Sequence, residues 1–166
     1  MINIIDAIKR LKQEAPNPSK GLPEDLFYYI SSTTPIINVE LLLKDENGRT
    51  LLSWRDDSYA GKGWHLPGGI IRFKETIVER INEVARTEVG IAVKSFKKEP
   101  IAINEIFNHE REIRSHFISL LYDCSLPSDF VPKNKGLSKF DAGYLEWHKT
   151  CPDNLLKLHE IYRKFI

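Results

Sequence analysis

The chain has 166 residues, which is enough for one domain with its own core. Hydrophobic residues make up 42% and charged residues 28%, as in a typical globular protein, and a formal net charge of +1 gives no field to attract nucleic acid or an anionic membrane. The two cysteines exclude a disulfide scaffold, and no apolar run resembles a signal peptide or a bilayer span of roughly 20 residues, so we expect a cytoplasmic protein.

The first third of the chain predicts two helical segments followed by a β-hairpin. Apolar residues recur at helical spacing in the first segment, and proline stands at the start of the second. Asn47-Gly48 between two apolar runs is typical of a hairpin turn. The predicted elements are helices at residues 2–14 and 23–30 and strands at Ile36–Leu43 and Thr50–Arg55. We therefore predict a helical N-terminal extension, residues 1–34, packed on a domain of residues 35–166.

The remainder of the chain predicts one central helix among several strands. That helix is expected over Glu75–Val89, and Gly90 is suited to the left-handed position that follows a helix. A C-terminal helix is expected with Thr150 as its N-cap. The predicted strands are Trp64–Leu66, Ile91–Phe96, Ile101–Phe107, His116–Asp123 and Tyr144–Trp147. This order predicts an α/β fold in which a mixed sheet lies between helices.

The segment from Gly68 to Ile91 reads GGIIRFKETIVERINEVARTEVGI. It resembles the signature of the Nudix hydrolases, G-x5-E-x7-R-E-U-x-E-E-x-G-U, where U is a bulky aliphatic residue. The matching positions are Gly69, Glu75, Glu88, Gly90 and Ile91, and the departures are Glu83 in place of Arg, Val84 in place of Glu and Thr87 in place of Glu. The resemblance implies an α/β/α sandwich with a mixed β-sheet.

In the Nudix family the glycine loop and the helix hold a divalent metal ion. The resemblance implies that the carbonyl of Gly68 and the carboxylate of Glu88 hold Mg²⁺ here. Val84 has no donor atom, and Thr87 has only a neutral hydroxyl, so the helix supplies little negative charge. A single Mg²⁺ needs only one or two carboxylates when phosphate oxygens complete its shell. On the helix surface, we expect Arg80 or Arg86 to pair with the stripe of Glu79 and Glu83.

Two further runs, NGRTLLSWR and GKGWHLPGG, resemble the GDP-mannose mannosyl hydrolase branch of the family. Enzymes of that branch cleave a nucleoside diphosphate sugar at the anomeric carbon. The resemblance implies that Arg55 binds the diphosphate, and Arg72 is a candidate for the same role. It also implies that Glu40 contacts the nucleotide or sugar and that Gly69 lets the backbone approach the pyrophosphate.

The branch uses a histidine as general base in the loop before its last tryptophan, and this chain has no histidine between Phe117 and Trp147. Alignment on Trp147 places Asp141 near the family's loop metal ligand. Asp141 is therefore a candidate metal ligand or base, with His116 and His109 as alternatives for the base.

The combined prediction is Mg²⁺-dependent hydrolysis of a nucleoside diphosphate sugar, similar to GDP-mannose, at the sugar's anomeric carbon. Two alternatives stay open: a nucleotide-sugar-binding module with impaired catalysis, and a conventional Nudix pyrophosphohydrolase. The family resemblance also implies a homodimer, and the amphipathic N-terminal helix is a candidate contact. No nucleic-acid or membrane partner is expected.

Overall fold

The apolar run Ile36–Lys44 forms the central strand, β1, in a computed structural model that describes residues 3–166. It pairs antiparallel with β2, Thr50–Asp57, through the predicted hairpin turn, where Gly48 takes a φ of 73°. It pairs parallel with β7, His116–Ser125, so the sheet is mixed as predicted. The other strands within the described residues are β3 Gly61–His65, β4 Gly68–Ile70, β5 Ser95–Phe96, β6 Ala102–Phe107 and β8 Leu145–His148.

Helical segments precede, interrupt and follow the strands along the chain. In the N-terminal part they are α1, Ile4–Glu14, and α2, Glu24–Ser31. The central helix α3, Ile77–Val84, continues as one π-helical turn, Ala85–Val89. A 3₁₀ helix, Lys157–Phe165, ends the chain.

The sheet has a hydrophobic cluster on each side. On one side the α3 residues Ile81 and Val84 pack with Leu41 of β1. On the other side Trp64 of β3 packs with Leu155 and with Tyr162 of the C-terminal 3₁₀ helix. The predicted arrangement of a mixed sheet between helices is confirmed.

Two element boundaries differ from the prediction near the glycine pair. Residues 68–70, expected as a loop, form β4, because Gly68, Gly69 and Ile70 pair with β1 across Glu40, Val39 and Asn38. The following helix begins at Ile77, two residues later than predicted. Thr76 caps it by accepting a hydrogen bond from the Glu79 N–H, and the Glu79 carboxylate accepts one from the Thr76 N–H in return.

The prediction for the C-terminal segment was wrong in its start and in its cap. The helix begins at Lys157 and is 3₁₀ in type, and Thr150 does not cap it. The residues before it are held extended because Trp64 N–H donates to the Asn154 carbonyl and Leu156 N–H donates to the Trp64 carbonyl, both at 2.9 Å. The Asn154 carbonyl and the Leu156 N–H are therefore bonded to β3, and they are not available for the hydrogen bonds of a longer helix.

The predicted amphipathic helix at residues 2–14 is observed from Ile4, and Ile2 lies outside the described residues. None of its residues is buried, and its apolar side chains Ile4, Ile5, Ile8 and Leu11 are exposed. α2 contacts the sheet domain, since the Ser31 hydroxyl accepts a hydrogen bond from the Arg114 N–H. The domain division and the dimer contact stay predictions. Within residues 3–166, the helices are all too short or too polar to span a bilayer.

Candidate functional site

A cleft of about 750 Å³ beside β1 is lined by most of the predicted binding residues. They are Glu40 of β1, Arg55 of β2, Gly68 and Gly69 of β4, and Arg72 just after β4. The other walls come from α2, from the segment between α1 and α2, and from the C-terminal 3₁₀ helix. The structure thus brings five predicted site residues to one cavity.

The carboxyl group of Glu40 is buried at the floor of this cleft, with only 6% of the residue exposed. The Asn38 amide donates to its Oε1 at 2.7 Å, while its Oε2 has no hydrogen-bond partner among the described residues. Burial raises the pKa of Glu40 well above its usual value, and the nearby charge of Glu88 raises it further. The positive charge of Arg55 lowers the pKa of Glu40 but does not cancel the rise. A cation placed here would favour the ionised form of this carboxyl and so lower its pKa.

Glu88 comes from the π-helical turn that follows α3, the kind of local helix widening often found at functional sites. Gly90 ends this turn with a φ of 83° and donates its N–H to the Ala85 carbonyl, as predicted for its position after the helix. Burial raises the pKa of Glu88 to about 7, partly offset by the Arg55 charge and by the Gly68 backbone N–H. Glu88 thus lies beside Gly68 and Glu40, behind the residues that line the cleft rather than among them.

The two glycines of β4 are required for different reasons. A Cβ atom on Gly68 would lie 2.2 Å from the Glu40 Oε2, so the absence of a side chain makes room for that carboxyl. A Cβ on Gly69 would lie 2.8 Å from the Val84 Cγ2 and 3.3 Å from the Arg80 Cδ. Gly69 therefore permits close packing of β4 on α3 as well as lining the cleft.

Gly68→Ala is expected to lower the free energy of unfolding by about 1–3 kcal/mol, because the added methyl group displaces the buried Glu40 carboxyl. Urea denaturation of the two proteins measures the difference. In a Glu40→Ala background the same substitution should cost clearly less, since the obstructing carboxyl is gone. An equal cost in both backgrounds would show that Gly68 does not serve to accommodate Glu40.

Arg55 is one of five arginines that line the cleft. Its Nε lies 2.9 Å from the Asp57 Oδ2, and its side chain remains about one-third exposed. Its charge lowers the pKa of Glu40 and of Glu88, so it lies near both carboxyls. A guanidinium in this position is suited to bind a phosphate group that also contacts a metal between the carboxyls.

The loop after β4 is fixed by an ion pair. Arg80, which is buried, donates through Nε and Nη2 to the two carboxylate oxygens of Glu75 at 2.9 and 2.7 Å, and Glu75 also accepts from the Arg72 N–H at 2.8 Å. Of the two arginines considered as partners for Glu79 and Glu83, Arg80 pairs with Glu75 instead. Arg86 does pair with Glu83, at the surface. The exposed Arg72 side chain is thereby held at the rim of the cleft.

The structure does not bring Asp141 or His116 to the carboxyl pair. Asp141 is exposed and accepts a hydrogen bond from the Ser138 N–H at 2.7 Å. His116 lies with Nε2 3.2 Å from the Glu105 Oε1 and with its ring against Phe107. Neither residue lines the cleft in the described part of the chain. Their roles as metal ligand or base stay predictions.

Sequence reasoning missed three buried polar residues that line the cleft: Asn38, His65 and His159. All three are more than nine-tenths buried. Asn38 stands in an apolar strand two places before Glu40, and this alternation was the one signal that placed it on the same face. His159 was assigned only to the buried face of a helix. His65, between Trp64 and Leu66, gave no signal of its own.

α2, the turn between β2 and β3, and Arg114 just before β7 form an aromatic wall at another part of the cleft. The Tyr28 and Tyr59 hydroxyls are hydrogen-bonded to each other, and Tyr28 also donates to the Glu24 carboxylate. The Arg114 guanidinium lies 4.7 Å from the Tyr59 ring centroid and 5.8 Å from that of Phe27. Such a wall can hold a planar base by stacking.

The residues at the carboxyl pair fit a single Mg²⁺. Within residues 3–166 no group of three or more His, Cys, Asp or Glu side chains could hold a metal ion. Glu40 and Glu88 nevertheless supply two adjacent carboxyls, one with an unpartnered oxygen, beside the backbone of Gly68. Mg²⁺ is commonly held by one or two carboxylates together with substrate phosphates.

No family model matches the sequence. The Haloferax volcanii low-salt glycan biosynthesis protein Agl8 is 24% identical over 152 residues, which cover 81% of this chain and 96% of that protein. A MutT Nudix hydrolase from Burkholderia pseudomallei has a similar structure, with a TM-score of 0.64 and 18% identity over 80% of this chain and 98% of that chain.

The Nudix domain of Shewanella oneidensis NrtR, solved in complex with ADP ribose, matches with a TM-score of 0.53 and 14% identity over 78% of this chain and 79% of that chain. At these identities the similarity establishes the fold. The chain has the α/β fold of the Nudix hydrolases, as the sequence resemblance implied.

Proposed function

We propose that the protein is a Mg²⁺-dependent hydrolase of a nucleoside diphosphate sugar similar to GDP-mannose. Water attacks the anomeric carbon of the sugar, the bond from that carbon to the diphosphate oxygen breaks, and the products are free sugar and nucleoside diphosphate. The observation that carries this proposal is the pair of adjacent carboxyls, Glu40 and Glu88, packed beside Gly68 with Arg55 close by.

The small number of carboxylates supports attack on carbon. Val84 is buried against Gly69, and the Thr87 hydroxyl donates to the Glu83 carbonyl at 2.7 Å, so neither position of the helix offers an anionic ligand. Activation of water for attack on phosphorus commonly uses more than one metal ion. When carbon is attacked, a Mg²⁺ ion bound here would stabilise the negative charge of the departing diphosphate.

The proposed roles follow from position. Glu88, the Gly68 carbonyl and Glu40 would hold the metal. Arg55 and the rim residue Arg72 bind the diphosphate, because a guanidinium matches phosphate oxygens with several donors. Asp141 could serve as base or as a further ligand only after the segment around it shifts toward the cleft.

The known relatives are consistent with a nucleotide sugar as ligand. The name of the Haloferax volcanii relative refers to glycan biosynthesis, and the NrtR domain of the same fold is complexed with ADP ribose. The aromatic and arginine wall around Tyr59 and Arg114 offers a place for the base.

Hydrolysis of GDP-mannose in ¹⁸O-labelled water with Mg²⁺ tests the proposal. We expect the label in the released mannose and none in GDP, with GDP and free sugar as the products seen by NMR. Label in a nucleoside monophosphate or sugar phosphate would show attack on phosphorus, the reaction of a conventional pyrophosphohydrolase. Binding of several nucleotide sugars without any turnover would indicate a binding module instead.

A further inference from the structure

Two histidine rings meet in the wall of the cleft, and the metal and diphosphate roles above use neither. His65 ends β3 and His159 lies in the C-terminal 3₁₀ helix. Their ring centroids are 5.6 Å apart with planes inclined at 77°, and 7% and 8% of the two residues are exposed. The Tyr162 ring packs on His159 at 5.3 Å and holds it in place.

The backbone of Leu66 fixes the hydrogen positions of both rings. The Nδ1 of His65 lies 2.7 Å from the Leu66 carbonyl oxygen, which can only accept, so this nitrogen carries hydrogen and donates. The Leu66 N–H donates to the Nδ1 of His159 at 3.3 Å, so that nitrogen carries no hydrogen. In the neutral rings, therefore, the Nε2 of His65 is an acceptor and the Nε2 of His159 is a donor.

Burial keeps both rings neutral, and the Arg55 charge adds to the effect. The pKa of His65 is lowered to about 4, and that of His159 is lowered well below its usual value. Both rings line the same cleft as Arg55, so they lie next to the proposed diphosphate site. Neither Nε2 atom has a hydrogen-bond partner among residues 3–166, and neither belongs to the fully enclosed unpartnered atoms.

We propose that the Nε2 atoms of His65 and His159 form an acceptor–donor pair that binds hydroxyl groups of a sugar ring beside the diphosphate. A hydroxyl both donates and accepts, so it satisfies both nitrogens, whereas an ionised phosphate oxygen cannot donate to His65. The pair thus distinguishes carbohydrate from phosphate in one cleft. This inference rests on the proposed function in taking a nucleoside diphosphate sugar as ligand.

Two sugar rings adjoin a diphosphate in such a ligand, the ribose and the terminal sugar. Calorimetric titration with Mg²⁺ and three probes separates them: GDP-mannose, GDP and inorganic pyrophosphate. His65→Phe removes both ring nitrogens but keeps an aromatic ring. His65→Asn is shorter and removes the Nε2 atom, but it retains an N–H near the Leu66 carbonyl. It replaces the first variant if that one is poorly folded. His148→Phe is the matched control, since His148 packs on Trp64 and does not line the cleft.

We expect both His65 variants to bind GDP-mannose roughly 3- to 10-fold more weakly than the wild type and pyrophosphate equally well, because one hydrogen bond is lost. An equal loss for GDP assigns the hydroxyl to the ribose, and a loss for GDP-mannose alone assigns it to the terminal sugar. The His148 variant should bind all three probes as the wild type does.

An equal loss for pyrophosphate, or no loss for any probe that the wild type binds, would overturn the inference. Wild-type binding without hydrolysis would refute the proposed reaction and leave the hydroxyl site standing. If the wild type hydrolyses GDP-mannose but the His65 variants bind all three probes as tightly as the wild type does, the hydroxyl site is refuted and the proposed reaction stands. A wild-type protein that binds none of the probes would refute both.

Discussion

Glu88→Gln is expected to lower kcat for hydrolysis of a nucleoside diphosphate sugar by on the order of 10²- to 10³-fold. The substitution keeps the shape of the side chain and removes the negative charge proposed to hold Mg²⁺. The fold should tolerate it, because burial raises the pKa of Glu88 to about 7, so a neutral group already suits this position. Steady-state kinetics over a range of Mg²⁺ concentrations measures the effect.

Glu83→Gln provides the control for this comparison. Glu83 lies in α3, one turn before Glu88, and pairs with Arg86 at the surface rather than with Glu40 or Gly68. Its loss should leave kcat within about 2-fold of the wild type, since exposed ion pairs contribute little. Full activity of the Glu88 variant at saturating Mg²⁺ would show that this carboxylate does not hold a catalytic metal.

The parts of the site that depend on local sequence rules were predictable. The spacing from Thr76 to Glu79 allows reciprocal capping, and glycine at position 90 accepts the left-handed conformation after the helix. These rules place Glu88 within one turn of the helix end. The family resemblance placed Gly68 beside it, and the structure brings the two together.

The parts that depend on distant contacts were not predictable. The bond from Leu66 to His159 joins residues 93 positions apart, so no local pattern could show that His65 and His159 share a wall. Asp141 was placed by counting back from Trp147. In the folded chain its neighbour Phe140 packs on Trp54 with ring centroids 4.6 Å apart, and this contact holds the segment outside the cleft.

Without metal, the wild-type protein is expected to lose stability through Glu88 as the pH rises from about 5 to 8. The pKa of this group is about 7 in the folded protein and about 4.5 when unfolded, so the folded state binds more protons between these values. Stability then falls with rising pH, by at most roughly 3 kcal/mol for this group. Glu40, whose pKa is also raised by burial and by Glu88, contributes in the same direction.

The difference in free energy of unfolding between wild type and Glu88→Gln isolates this effect. His65 and His159 have lowered pKa values and act in the opposite direction, raising stability as the pH increases toward 6.5, but they do so in both proteins. The variant should therefore become the more stable protein at pH 8, and the two should converge at pH 5.

Mg²⁺ should reverse that order at pH 8. A cation that binds only the folded state stabilises it according to its concentration relative to Kd, and it binds the ionised carboxylates. Thermal unfolding with 10-fold steps of Mg²⁺ should raise the Tm of the wild type at pH 8, much less at pH 5, and not that of the variant. A rise in Tm of equal size in both proteins at both pH values would mean that Mg²⁺ binds elsewhere. Metal binding would then not explain why the carboxyls of Glu40 and Glu88 are buried together.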